Sequence, residues 1–91
     1  MTCEGACCRI AGVVTVDSVG GLLRELQPQL ENGVDTLDFS GVETADSAAL
    51  ALIFSSMRYA GKSGKTVVCT GLSASLSTLA ELYGVSDLLP Q

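Results

Sequence analysis

The chain has 91 residues, 47% of them hydrophobic, and its ten acidic side chains outnumber its five basic ones. That length suits one small hydrophobic core, and the acidic balance argues against nucleic acid as a partner, because phosphate recognition needs concentrated Lys and Arg. The absence of His removes the most common general base, zinc ligand and pH switch. We therefore expect one domain, residues 1–91, that is not an enzyme and binds no cofactor.

The four cysteines, Cys3, Cys7, Cys8 and Cys69, bear on the compartment. Without any His or a second closely spaced pair they make a poor zinc pattern, so no metal site is expected. The first ten residues lack the basic start and apolar centre of a signal peptide, and the apolar runs are too short to cross a bilayer. We expect free thiols in a reducing cytoplasm, with no direct membrane insertion.

The first predicted elements are two strands and a helix. Residues 1–3 form a short strand, Gly5 turns the chain, and residues 6–11 form a second strand that β-branched side chains extend to residue 16. A helix is predicted over residues 19–31, with Asp17 or Ser18 as its cap and a bend near Pro28.

Residues 34–62 are the stretch around which the chain is organised. They predict a strand at 34–39, a tight turn at 40–42, a loop at 43–46 and a helix that opens at Ser47. Apolar residues of this second helix follow helical spacing and predict its buried face: Leu50, Ile53, Phe54, Met57 and Ala60.

A buried strand and a third helix complete the predicted order. The strand covers residues 66–70, and Ser73 is the predicted N-cap of a helix that ends at Gly84. One face of that helix is predicted from Leu76, Leu79, Ala80 and Tyr83, after which Val85, Leu88 and Leu89 pack back onto the body. The order β-β-α-β-α-β-α predicts an α/β fold, a mixed sheet of about four strands with helices packed on it.

The start of the second helix is the candidate site, because sites in α/β sheets lie past the carboxyl ends of strands. Asp46 or Ser47 could cap the helix, or the Ser47 hydroxyl could present itself at the positive end of the helix dipole to a phosphoryl group or an acidic partner. The helix face away from the core is either a solvated surface or a partner surface, and it carries Ala48, Ala51, Ser55, Arg58, Tyr59 and Lys62.

Two segments, DFSGV at residues 38–42 and DSAAL at residues 46–50, followed by a helix and an apolar strand, resemble the STAS domain of anti-sigma-factor antagonists. The resemblance covers nearly the whole chain. Its ending, LAELYG at residues 79–84 and LLP at 88–90, is most similar to the MlaB-type STAS subunits of Mla phospholipid-transport ABC complexes. This similarity implies a partner, the ATPase subunit, at the cytoplasmic side of the inner membrane, with Ser47 at the contact. Our first hypothesis is that Thr44, Ala45, Asp46 and Ser47 dock on that subunit together with the outward helix face.

The alternative implied by the same family is an anti-sigma-factor antagonist that switches partners with an anti-sigma kinase, with Ser47 as the phosphoacceptor. In phosphorylated members the modified Ser is the second of a pair, and that position here is Ala48. The ATPase-subunit interpretation needs no phosphorylation, so we place it first.

Overall fold

The computed structural model of the protein describes residues 1–85. Its elements are β1 (Thr2–Glu4), β2 (Cys7–Val14), α1 (Val19–Glu31), β3 (Thr36–Ala45), α2 (Ala48–Gly61), β4 (Val68–Thr70) and α3 (Ala74–Leu82). This order is the predicted β-β-α-β-α-β-α. Of the apolar segment expected to pack back onto the body, Val85 is half-buried against the core, whereas Leu88 and Leu89 lie outside the described residues.

The four strands form one mixed sheet in the order β1-β2-β3-β4. β1 is antiparallel to β2, whereas the β2–β3 and β3–β4 pairs are parallel, as connections through a helix require. The side chains of Cys8, Ile10 and Leu37 are fully buried on one face, and the alternate residue Arg9 is exposed on the other. The helices therefore cover one face of the sheet, and the predicted fold is confirmed.

β3 departs from the sequence prediction, because the turn at residues 40–42 does not form and, of the predicted loop at 43–46, only Asp46 lies outside the strand. The strand continues for 10 residues to Ala45, with Gly41 opposite Ala11 of β2. Two irregularities in the pairing each place one extra residue in β3, so the Ser-Gly signal that predicted a turn marks a bulged strand instead. Gly41 suits this close pairing, since a Cβ would lie 3.0 Å from the Ala11 Cβ and 3.2 Å from Arg9 Nε, tighter than usual contacts.

The amino-terminal hairpin corrects the expectation of four free thiols. Cys3 lies directly opposite Cys8 in the antiparallel β1–β2 pair, and the two form a disulfide with their Cα atoms 4.0 Å apart. Only Cys7 and Cys69 are free within the described part of the chain. The hairpin register brings Cys3 and Cys8 to the same face of the sheet, whereas Cys7 points to the other face.

The helix boundaries follow the predictions more closely than the caps do. α1 covers the predicted residues and continues through Pro28, but the Ser18 hydroxyl does not cap it and donates instead to the Val13 carbonyl at 2.8 Å. Ser73 does cap α3, accepting from the Leu76 N–H at 3.1 Å. Tyr83 was predicted on the packed face of α3, but it follows the last helical residue and is 58% exposed.

Candidate partner-binding site

The junction of β3 with α2 holds four of the predicted site residues, which we call the β3–α2 corner: Thr44, Ala45, Asp46 and Ser47. Thr44 and Ala45 belong to β3, and Asp46 and Ser47 alone connect the strand to the helix. Because the corner lies at the carboxyl end of a parallel strand, it occupies the edge of the sheet where α/β proteins place their sites.

Asp46 holds the corner together through both carboxylate oxygens. Its Oδ1 accepts from the Ala48 N–H at 2.8 Å, in the first turn of α2, and its Oδ2 accepts from the Val16 N–H at 3.3 Å, just after β2. Its own N–H donates to the Val14 carbonyl at 3.2 Å. Asp46 therefore caps the helix, as one of the two predicted residues, and also ties the helix start to the end of β2.

Ser47 occupies the N-cap position, but its hydroxyl makes no capping hydrogen bond. Its carbonyl accepts from the Leu50 N–H at 3.1 Å, so the backbone starts the helix while the side chain stays exposed. Since Asp46 supplies the capping oxygen, the Ser47 hydroxyl is left at the positive end of α2 without a structural partner in residues 1–85.

The outward face of α2 combines small and basic side chains. Ala51 and Arg58 are exposed, Ala48 and Ser55 are half-buried, and Arg58 Nη2 donates to Ser55 Oγ at 3.1 Å. Tyr59 is also half-buried, because its ring packs against the core. Farther along the helix, the ammonium group of Lys62 lies 5.6 Å from the Tyr59 ring centre. The structure thus places these residues along one side of the helix that begins at the corner.

The buried face of α2 is shifted around the helix from the predicted one. Leu52 and Ser56 are fully buried, although neither was in the predicted face, whereas Phe54 and Met57 are only partly buried. Ser56 avoids an unsatisfied hydroxyl by donating to the Leu52 carbonyl at 2.8 Å. The pattern 49, 52, 53, 56 and 60 was the available signal, and the polar residue at position 56 concealed it.

A groove next to the corner was missed by sequence reasoning. Its volume is about 280 Å³, and it lies between the end of β3 and the start of α3, lined by Val42, Glu43, Thr44, Ala45, Ser73 and Ser75. Gly71 brings the two elements together: it has φ +69°, and a Cβ there would lie 2.7 Å from the Ser40 nitrogen. The two walls are distant in sequence, so only the sheet order reveals the groove.

A second groove, of about 390 Å³, lies on the open face of the sheet and away from the corner. Its lining comprises Thr2, Glu4, Cys7, Arg9 and Asp38. The Ser40 N–H, donating to Asp38 Oδ1 at 2.9 Å, lowers the pKa of the Asp38 carboxyl, and the Ser40 hydroxyl and the Arg9 charge lower it further. These bonds stabilise the bulge in β3, which gives Asp38 a structural role.

Comparison with known proteins identifies the family. A family model described as "Mlab, STAS domain" matches residues 3–90. The chain belongs to this STAS family. It is 33% identical over 70 residues to the "Intermembrane phospholipid transport system binding protein MlaB" of Escherichia coli (strain K12), covering 76% of this chain and 72% of that protein. The protein of the same name from Shigella flexneri matches equally well.

The fold of this STAS domain is also that of the anti-sigma factor antagonist SpoIIAA in its unphosphorylated form. The TM-score is 0.71, the match covers 91% of this chain and 75% of SpoIIAA, and the sequences are 15% identical, so the similarity concerns the fold. In the STAS domain described here, no helix within residues 1–85 combines the length and the apolar character needed to span a membrane.

Proposed function

We propose that this STAS domain is a non-enzymatic subunit that binds the ATPase of an Mla-type phospholipid ABC transporter, in the cytoplasm and peripheral to the inner membrane. The proposed contact is the β3–α2 corner with the outward face of α2: Thr44, Ala45, Asp46, Ser47, Ala48, Ala51, Ser55, Arg58 and Tyr59. The relatives named for intermembrane phospholipid transport support this assignment.

The observation that carries the proposal is the difference between the roles of Asp46 and Ser47. The Asp46 side chain caps α2 and bonds to the end of β2, whereas Ser47 is exposed and its hydroxyl makes no capping hydrogen bond. The first-turn N–H groups of α2 already have hydrogen-bond partners within the chain, and a contact surface that is ordered before binding avoids a large ordering cost. The neighbouring small side chains Ala48 and Ala51 let the backbone of a partner approach closely.

Binding of this kind would act on the ATPase by conformational selection. A subunit that binds one state of the ATPase more tightly than another shifts the equilibrium by the difference in binding free energy, and needs no chemistry of its own. The Cys3–Cys8 disulfide lies outside this surface, because it joins β1 to β2 and neither strand contributes a residue to the proposed contact.

The test is Ser47→Arg, which places a long cation at the centre of the proposed contact. We expect co-purification of the ATPase and transporter ATP hydrolysis both to fall by about tenfold or more, as when a buried interface residue is disrupted. Ser63→Arg is the control, since it adds the same side chain beyond the other end of α2, about 20 Å away along the helix axis. It also removes the hydrogen bond from Ser63 Oγ to the Glu31 carbonyl at 3.3 Å, so the thermal unfolding of this variant is measured beside its binding. Equal binding and hydrolysis by Ser47→Arg and the unmodified protein would contradict the proposed site.

The exposed Ser47 hydroxyl also favours a second candidate, an anti-sigma-factor antagonist in which an anti-sigma kinase phosphorylates Ser47. Added phosphate at the start of α2 would be stabilised by the helix dipole. Incubation with candidate kinases and ATP, followed by mass spectrometry of the intact protein and of Ser47→Ala, separates the two functions. Phosphate on Ser47 supports the antagonist, and its absence with a stable ATPase complex supports the transport subunit.

A further inference from the structure

The outer edge of β3 changes character along its length. β2 pairs with β3 on one side almost throughout, from Thr36 to Ala45, but β4 pairs on the other side only from Thr36 to Asp38. Beyond that point the chain leaves β4 at Gly71 and enters α3, so no described strand covers the outer edge of residues 41–45. Such an edge offers backbone groups for pairing with another chain.

Ala45 has both of its backbone groups directed to that edge. Val14 lies opposite Ala45, and the Val14 carbonyl accepts from the N–H of Asp46 rather than from Ala45. In a pair of parallel strands, one residue of two opposed residues bonds to the two neighbours of the other. The other residue then directs its own N–H and C=O away from the partner strand. The Ala45 N–H and C=O therefore point away from β2, to the side where β4 pairs only with residues 36–38 of β3 and no described strand lies beside Ala45.

The groove in front of this edge is bordered by β3 on one side and by hydroxyl side chains on the other. Its far wall is formed by Ser73, the N-cap of α3, and by Ser75 in the first turn of that helix, and both residues are exposed. The irregularity between Val42 and Thr44 leaves Glu43 as the extra residue in β3, so the regular edge is short. A segment that adds here gains a few main-chain hydrogen bonds next to hydroxyl side chains, and a long strand is excluded.

The charge of the groove indicates which peptide it fits. Among the described residues, Glu43 is exposed and is the one charged side chain in the lining, and Asp46 follows it at the corner. No Lys or Arg of residues 1–85 lines the groove, and the whole chain carries a net charge of −5. A basic segment therefore complements the site, whereas an acidic one would be repelled.

We propose that the outer edge of β3 at residues 42–45 receives a short basic segment of the ATPase as an added strand, hydrogen-bonded to the backbone of Ala45. This inference rests on the proposed function and deepens it, because the groove shares Thr44 and Ala45 with the β3–α2 corner. It adds to the helix contact a main-chain contact that alternate side-chain pockets can make specific.

Amide hydrogen exchange of the full chain, alone and with the separately purified ATPase subunit of the host's Mla-type transporter, tests the added strand. The Ala45 amide should exchange rapidly in the free chain and at least about tenfold more slowly in the complex, as a newly hydrogen-bonded amide does. Slow exchange of the Ala45 amide in the free chain would overturn the inference, because the edge would then be covered already. Slow exchange that depends on protein concentration would indicate a second copy at the edge, and slow exchange that does not would indicate the chain itself.

Two variants test the contact without relying on exchange. Ala45→Pro removes the outward N–H, and it also fixes φ at residue 45 and restricts the backbone of Thr44. Pro is tolerated in a strand where its missing N–H would face away from the sheet. We expect it to weaken ATPase binding about tenfold, and Glu43→Lys to weaken it by a similar factor that shrinks as salt is added. Glu25→Lys, the same charge change on the exposed side of α1, should bind as the unmodified protein does. Thermal unfolding of each variant identifies any that fails to fold.

The outcomes separate this inference from the proposed function. If the unmodified chain binds the ATPase while Ala45 stays unprotected, or if folded Ala45→Pro and Glu43→Lys both bind normally, the added strand is wrong and the ATPase partnership stands. If the unmodified chain does not bind the ATPase at all, the proposed function itself fails, and the inference fails with it.

Discussion

The two halves of β3 differ in what lies beside them. Residues 36–38 run between β2 and β4, and Leu37 at their centre is fully buried beneath the helices. Residues 41–45 have β2 on one side and a groove on the other, and Glu43 and Thr44 there are exposed. One strand therefore supplies the core with its first half and the candidate partner surface with its second, and the short β4 makes the difference.

The most direct test of this difference is to truncate one side chain in each half of β3. Leu37→Ala removes a fully buried side chain between two strands and should lower the free energy of unfolding by about 2–5 kcal/mol. Thr44→Ala, in the open half, should change it by no more than about 0.5 kcal/mol. Urea unfolding of both variants measures the contrast, and equal losses would show that the second half is packed as tightly as the first.

The boundary between the halves depends on Gly71, where the chain leaves β4. Gly71→Ala must place a side chain at φ +69° and also 2.7 Å from the Ser40 nitrogen and 2.9 Å from Asp38 Oδ1. We expect the positive φ to cost about 1–2 kcal/mol and the overlap with β3 to cost about 1–3 kcal/mol more.

Gly64→Ala is the matched control for that boundary, because Gly64 has nearly the same φ, +70°, and a Cβ there would have no neighbouring atom within 4 Å. It should show only the backbone cost of about 1–2 kcal/mol. Equal destabilisation of the two variants, measured by thermal or urea unfolding, would show that the contact between Gly71 and β3 does not hold the boundary in place.

Periodicity and turn signals were sufficient for the element order, the bounds of α1 and the cap of α3, because those features depend on local sequence. They failed at residues 40–42, where Ser40 and Gly41 are typical of a turn. There the pairing with β2 decides the conformation, and the sequence near Ser40 does not contain that partner. The disulfide was missed for a similar reason, since only the hairpin register places Cys3 opposite Cys8.

The candidate site divides in the same way. The capping role of the Asp46-Ser47 pair could be predicted from the residue types, although which of the two oxygens caps α2 could not. The groove beside Ala45 could not be predicted at all, because Ser73 is 28 positions away and reaches it only through the sheet order. Roles that depend on neighbouring residues could be predicted from the sequence, whereas contacts between distant segments could not.

The protein should also lose stability at high pH because of Cys69, which lies beside the first half of β3. Cys69 lies opposite Leu37 and is 3% exposed, and burial raises the pKa of its thiol from 9.0 to about 12. The unfolded thiol ionises first, so its contribution to stability is complete below pH 9.0 and is lost as the pH rises toward about 12.

Cys69→Ala isolates this loss from other titrations. Between pH 9.0 and about 12 the free energy of unfolding of the unmodified protein should fall by up to about 1.4 kcal/mol per pH unit relative to Cys69→Ala. Urea unfolding of both proteins across that range measures the difference. Parallel pH profiles would mean that Cys69 is more accessible to water than its position beside Leu37 indicates.

The smallest expected effect is a change in the pKa of Asp38, which forms the last residue pair between β3 and β4. The Ser40 N–H lowers the pKa of this carboxyl below 3.8, so the stability it contributes is present above pH 3.8 and is lost as the pH falls through the lower folded-state pKa. Ser40→Ala removes the hydroxyl but keeps the backbone donor, so NMR titration of Asp38 in that variant should show a pKa that rises only slightly and stays below 3.8. A pKa of 3.8 in this variant would mean that the Ser40 hydroxyl, and not the Ser40 N–H of the bulged backbone, stabilises the Asp38 carboxylate. The bulge between the two halves of β3 would then depend on the Ser40 side chain and not on the backbone alone.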